Sequence, residues 1–330
     1  MFKVLLPSII IAIVFVLSIF AAYKLILAKA IWKKCLALFP LVLLFIIIYG
    51  FTWGFWQLNV REVTYESNDI PEAFDGYKIV QVTDVHTGGS FWGPYNGLLK
   101  DGVEKINSLN PDLICMVGDL QTLLPTELEP FKEEFSSLKA KDGVLTVMGN
   151  HDYCSYTGLS LSKQKKEIQK TRDLQKSFGW KMLENEHFYI HRDSDSILVL
   201  GEENWGKKPF PQLGDLKKTL KGLTINPTTK TPVPPTFTLF LSHDPNAWKK
   251  HILPAIRPNI TLAGHTHGAQ FAICGWTPVK YVYDEWGGEF YDDTPTTKSL
   301  LSVSTGFGGN LPFRFGMPRE IVVITLKKTK

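Results

Sequence analysis

The segment YKIVQVTDVH, residues 77–86, opens as a run of apolar, strand-forming residues and ends in an aspartate and a histidine two positions apart. A short run rich in β-branched side chains and bounded by polar residues predicts a strand. The same pattern recurs downstream. Leu113–Val117 leads into Gly118-Asp119, Gly143–Met148 into Gly149-Asn150-His151-Asp152, and Thr236–Leu241 into Ser242-His243-Asp244. Asn259–Leu262 leads through Ala263 into Gly264-His265-Thr266-His267-Gly268. Helix-like stretches at Asn96–Leu109 and Leu128–Leu138 separate the first three runs. This strand–helix–strand rhythm predicts an α/β layered domain, with further strands at Ser196–Leu200, Leu300–Val303 and Ile321–Thr325. The Pro- and Thr-rich stretch 226–235 reads as a surface loop.

Polar residues at the ends of apolar strands are costly unless they serve a purpose, and strand ends on one sheet edge bring such residues together. In the pairs Asp84/His86 and His265/His267, an extended backbone would point both side chains the same way. Neighbouring glycines permit tight turns and close backbone approach. Carboxylate, imidazole and amide donors suit Mn, Fe or Zn. Five of the eight histidines fall in these blocks. Seven candidate ligands (Asp84, His86, Asp119, Asn150, His243, His265, His267) exceed the needs of one tetrahedral zinc, so the surplus implies two ions sharing a carboxylate.

The ordered blocks D-x-H, GD, GNHD, H and GHTH resemble the calcineurin-like metallophosphoesterase family across nearly all of residues 77–325. That resemblance implies a sandwich of two β-sheets flanked by helices. It implies two divalent ions, Mn²⁺ foremost with Fe or Zn as alternatives, and hydrolysis of a phosphodiester or pyrophosphate bond. It assigns Asp84, His86 and His267 to one ion and Asn150, His243 and His265 to the other, with Asp119 bridging. His151 becomes the catalytic side chain near the leaving group, with a capping or core histidine as the alternative, and Asp152 an orienting carboxylate. One position departs from the family pattern: a second acid commonly follows the bridging aspartate by three residues, and here that residue is Thr122. Arg314, in the Gly-rich loop 306–316, is a candidate phosphate grip, with a structural ion pair as the alternative.

Outside this region the chain changes character. Val4 to Tyr23 and Cys35 to Trp56 carry no charge, and each is about 20 residues long, enough to cross a bilayer as a helix. The division expected is a transmembrane hairpin over residues 1–60 and a catalytic domain over 67–330, with 58–72 as a polar juncture. A cleaved signal peptide is the alternative for the first run. Lys24, Lys29, Lys33 and Lys34 between the runs outnumber the flanking charges, which by the positive-inside bias places the catalytic domain outside the cytoplasm. The net charge of +4 shows no concentrated basic face of the kind nucleic-acid binding requires. Four cysteines without a CxxC pair exclude a zinc-ribbon or thioredoxin site.

The resemblance extends to a membrane-associated branch, some of whose members hydrolyse UDP-2,3-diacylglucosamine in lipid A synthesis. A bacterial inner-membrane enzyme acting on a phosphorylated, nucleotide-linked or lipidic substrate follows. A general envelope phosphodiesterase or phosphatase is the alternative, and a non-catalytic binding platform a third. Lysines from Lys163 to Lys181 mark a basic helix, read as a solvated face or an anion contact. The aromatics from Phe271 to Tyr291 read as a packed β-hairpin, with an apolar slot or a membrane-dipping edge as alternatives.

Overall fold

The computed structural model describes residues 2–234, 236–295 and 297–329, without the side chains of residues 2–7. Pro235 of the expected loop and the Lys3 side chain before the first span therefore lie outside the described residues. Two apolar helices come first, α1 (Phe2–Ile26) and, after a kinked connector helix α2 (Ile31–Leu36), α3 (Leu38–Tyr49). The second run continues through a π-turn, Gly50–Gly54, and ends at Trp56. Ser8–Ile26 and Ile31–Gly54 are long and apolar enough to cross a membrane, and most of their large side chains are exposed. A surface of that kind is stable only against other apolar matter.

Among the described residues the remainder forms two mixed six-stranded sheets flanked by helices, as the resemblance implied. The first sheet holds β1 (Leu58–Ser67), β2 (Lys78–Val82), β3 (Leu113–Val117), β4 (Val144–Val147), β5 (Lys181–Met182) and β12 (Arg319–Lys328), in the order β1-β12-β2-β3-β4-β5. The second holds β6 (Glu186–Arg192), β7 (Asp195–Gly201), β8 (Thr238–Leu241), β9 (Ile260–Ala263), β10 (Gly288–Tyr291) and β11 (Leu300–Val303), in the order β10-β11-β9-β8-β7-β6. Strands β2 to β5 run parallel, as do β7, β8, β9 and β11. All the motif-bearing strand ends therefore lie at carboxyl edges. Ile79, Leu113, Cys115, Val199, Leu239 and Leu262 belong to one core between the sheets. A second core packs Leu99, Val103 and Ile106 of the helix Gly97–Ser108 onto Val80, Val82 and Ile114.

Several expectations need correction. Residues 58–67 are a strand rather than a juncture, paired in parallel with β12. The stretch 128–138 is broken into 3₁₀ turns and a short helix, Lys132–Ser136, because Pro130 lacks a donor and disfavours helix before it. The aromatics from 271 to 291 do not share one hairpin: Ile273 and Trp276 pair across a tight antiparallel turn, while Phe290 and Tyr291 lie in a separate strand. Gly288–Tyr291 pairs with β11 instead, and Trp276 and Tyr281 are exposed at 41% and 74%. The basic helix Leu161–Ser177 exists. Its Arg172 bonds Glu184, and its lysines from Lys163 to Lys176 face solvent.

Candidate metal centre

Strands β2, β3, β4, β8 and β9 deliver the seven predicted side chains to one place. Asp119 Oδ2 lies 3.1 Å from His243 Nε2 and 3.5 Å from His86 Nε2. Asp84 Oδ1 lies 3.5 Å from His267 Nε2, 3.8 Å from His243 Nε2 and 4.0 Å from His86 Nε2. His265 Nδ1 is 2.7 Å from Asn150 Oδ1. Among the described residues three groups, Asp84/His86/His267, His86/Asp119/His151 and Asp119/His243/His265, each hold their ligand-type atoms within 4.8 Å of one another. Asp84, Asp119, Asn150, His86 and His243 are almost wholly buried.

The backbone is not extended where extension was expected. Asp84, His86, Asp119, His265 and His267 all adopt positive φ, from 47° to 72°. Left-handed backbone costs a non-glycine residue roughly 1–2 kcal/mol, and strain of this kind persists where the surrounding structure over-determines it. Close approach is the second requirement. A Cβ at Gly149 would strike the Asp119 carboxylate, and one at Gly264 the Asp84 carboxylate.

The donors fit metal ions. His243 Nδ1 lies 2.7 Å from the Val117 carbonyl oxygen; a carbonyl can only accept, so Nδ1 carries the proton and Nε2 faces the centre. Both nitrogens of His86, Nε2 of His243 and Nδ1 of His267 are buried without a hydrogen-bond partner. Buried imidazole nitrogens are rarely left so, and a divalent cation beside two carboxylates would satisfy the inward-facing ones.

The electrostatics agree. Burial pushes the Asp84 carboxyl up to about 6, assisted by the charge of Asp119. For Asp119, burial acts upward, but His243, His151 and His86 outweigh it and hold it well below the ordinary carboxylate value. Burial lowers His86, His265 and His267, keeping them neutral as ligands must be. Burial also acts to lower His243, but the two aspartates lift it to about 10. The same carboxylates that draw a proton there would draw a metal ion.

His151 donates its backbone N–H to Asp119 Oδ1 at 2.8 Å. Its ring Nδ1 lies 2.7 Å from the carbonyl oxygen of Thr122. The position where the acid is missing thus supplies a backbone acceptor, and the free ring nitrogen is Nε2. Thr122 is fixed in turn by Glu127, whose carboxylate accepts from the amides of Thr122, Leu123 and Leu124 at 2.7, 3.0 and 3.2 Å and of Gly88 at 3.2 Å. Asp152 accepts from the amides of Asp119, Leu120, Gln121 and Gly149, tying the β3 and β4 loops together. Burial and the neighbouring Asp119 raise it to about 7.

Arg314 departs from the expectation of a phosphate grip. It is fully buried; its two terminal nitrogens donate to backbone carbonyls of His267, Gly306, Gly308, Met317 and Pro318, while its Nε is buried without a hydrogen-bond partner. Sequence reasoning missed Tyr156, whose hydroxyl accepts from Asn150 Nδ2 at 2.9 Å and whose ring lies 4.4 Å from that of His151. It also missed Tyr283, whose hydroxyl lies 2.8 Å from His265 Nε2. Neither tyrosine belongs to a motif. Asp244, 3.6 Å from His265, stands beside His243 and was within reach of the motif.

These blocks and strand ends define a metal-dependent phosphohydrolase, and the chain belongs to the calcineurin-like phosphoesterase family, whose model matches residues 77–269. Among relatives it is similar to a transmembrane protein with metallophosphoesterase domain from Danio rerio, 27% identical over 85% of this chain and 60% of that protein. It is similar to the uncharacterized metallophosphoesterase YkuE of Bacillus subtilis, 29% identical over 83% of this chain and 87% of that one. The UDP-2,3-diacylglucosamine pyrophosphatase LpxG of Chlamydia trachomatis is 25% identical over 81% of this chain and 89% of its own length. The chain thus spans about 60% of the length of the zebrafish relative. The phosphopantetheinyl hydrolase of Mycobacterium tuberculosis superposes loosely, with a TM-score of 0.34 and 8% identity over 70% of this chain and 91% of that one.

Proposed function

We propose that this protein is a membrane-anchored hydrolase that cleaves a phosphodiester or pyrophosphate bond at a dinuclear centre. The two sites are Asp84/His86/His267 and Asn150/His243/His265, bridged by Asp119. The observation that carries this reading is that Nε2 of His86 and Nε2 of His243, both buried without a hydrogen-bond partner, face the Asp84 and Asp119 carboxylates. Two bound divalent ions would supply an activated water and neutralise phosphoryl charge. The chain's own part is positional. Asp119 sits between the two groups, and Asp152 holds its backbone in place. His151, with Nδ1 tied to Thr122, presents Nε2 to the phosphoryl or leaving oxygen as donor.

In this reading the apolar helices α1 to α3 anchor the enzyme, and the catalytic unit starts at β1 with Leu58, which pairs with β12. We place the anchor in the bacterial inner membrane. A UDP-linked substrate, made in the cytoplasm, requires the catalytic unit inside, whereas the lysine distribution favours it outside the cytoplasm. A carboxyl-terminal reporter active only in the cytoplasm would overturn that orientation. Because one relative is named a UDP-2,3-diacylglucosamine pyrophosphatase, that lipid is the first substrate to offer, beside simple phosphodiesters. The purified full chain should hydrolyse bis-p-nitrophenyl phosphate, lose activity on chelation and regain it with Mn²⁺. Elemental analysis should find about two ions per chain. Full activity in Asp119→Ala would sink the proposal.

A further inference from the structure

Two cavities lie at the junction of hairpin and catalytic domain, and one of them reaches a candidate metal ligand. One, of about 350 Å³, is lined by His267, Thr266, Gln270, Leu311 and Phe313 together with Ile11 of α1. A second, of about 520 Å³, is almost wholly apolar and shares Ile11 and Leu311 as walls, with Phe15, Ile47, Phe51 and Trp92 around it. The smaller cavity therefore holds a candidate metal ligand, and the larger is walled largely by the membrane helices, with Trp92, Leu311 and Pro312 closing it.

A second observation lies on the same rim. The segment 273–282 exposes Ile273, Trp276, Tyr281 and Val282 at 44%, 41%, 74% and 61%. Its base is joined to the second span through ring contacts: Phe271 stacks on Phe315 at 5.7 Å, and Phe315 meets Tyr49 of α3 edge-on at 5.5 Å. The segment ends at Tyr283, which bonds His265. An apolar edge beside the span exit and beside the metal centre is placed to enter the bilayer interface, where Trp and Tyr are favoured.

We infer that the centre takes its substrate sideways from the bilayer: a phosphate ester or anhydride bearing an alkyl chain, with the chain in the Ile11–Leu311 slot and the phosphate at the centre. This rests on the phosphohydrolase reading and adds the substrate class. The occupant is a membrane lipid because the slot's far wall is made of helices that themselves require lipid around them. A water-soluble ester would leave the slot's apolar lining unused.

The test uses the full chain with Mn²⁺ in lipid nanodiscs and two probes with a common leaving group, hexadecyl p-nitrophenyl phosphate and bis-p-nitrophenyl phosphate. With either, water adds to phosphorus and the P–O bond to p-nitrophenolate breaks, so colour reports both. The expected kcat/KM favours the hexadecyl ester by roughly ten-fold or more. Ala12→Trp, which fills the slot from α1, should cut that preference roughly ten-fold. Leu311→Trp fills it from the opposite wall and should act likewise, which guards against misfolding of either variant. Leu17→Trp, on the exposed face of α1 opposite the slot, should leave the preference in place. Equal use of the two esters by the wild type, or a preference untouched by both slot variants, overturns the slot and leaves the hydrolase standing. Turnover of neither ester by the metal-loaded wild type overturns the hydrolase reading itself.

Discussion

His151 is held without the acid that usually supports its counterpart. A backbone carbonyl at Thr122 does the orienting, and Glu127 holds that carbonyl in place through a fan of amide hydrogen bonds. Charge-assisted bonds to a carboxylate are roughly twice as strong as neutral ones, so Glu127 replaces direct support with support one step removed. His151→Ala should lower kcat about 10²- to 10⁴-fold while elemental analysis finds the metal content of the wild type. Glu127→Ala should lower kcat by roughly ten-fold, with a steeper loss on alkyl phosphodiesters than on p-nitrophenyl esters, which need less help in leaving. An even loss on both would reduce Glu127 to a fold support. None of this was visible in the sequence, because Glu127 acts through main-chain amides and belongs to no motif. The seven candidate ligands were visible, because an Asp, Asn or His after an apolar strand has no bland explanation.

At the scale of elements, the carboxyl edges of β2, β3, β4, β8 and β9 make the site, and glycines let the loops close over it. Gly264→Ala would press a methyl group onto Asp84. The variant should still fold, yet bind metal at least roughly ten-fold more weakly by titration calorimetry; unchanged affinity would show that the loop can yield. The strands that carry motifs were legible because their apolar runs end abruptly. Strand β1 was not. Arg61, Glu62 and Glu66 make it look like a linker, and only Val63 and Tyr65 are buried, as suits an edge strand paired on one side. The left-handed turns at Asp84, His86, His265 and His267 were also illegible, since non-glycine residues carry no signal for them.

Across the whole molecule, the two sheets are tied by a charged cluster far from the centre. Asp112 accepts from the Lys78 amide at 2.7 Å, Lys141 at 2.8 Å and Arg192 of β6 at 2.9 Å. Burial acts to raise its carboxyl, but these partners outweigh burial and hold it below the ordinary value. A lowered carboxyl contributes stability above its unfolded value of about 3.9, and that contribution fades as pH falls through the lowered value. Asp112→Asn should therefore lower the apparent Tm by about 2–4 °C at pH 7, and the gap should narrow as pH falls below about 3.9. A gap independent of pH would count against the carboxylate. Chelation should lower the wild-type Tm as well, since ions that bind only the folded state stabilise it.

Where the second apolar run ends, Arg319 donates to the carbonyl of Phe55 at 2.8 Å and to that of Trp56 at 3.4 Å. β1 begins at Leu58, so almost no chain is left as a tether. With the apolar helices seated in a bilayer, as proposed, the catalytic pocket would ride at one fixed altitude above its anchor, unable to swing out after distant targets. What it cuts must come to that height: whatever drifts past in the plane of the sheet of lipids is within range, and anything held a few nanometres further off is not.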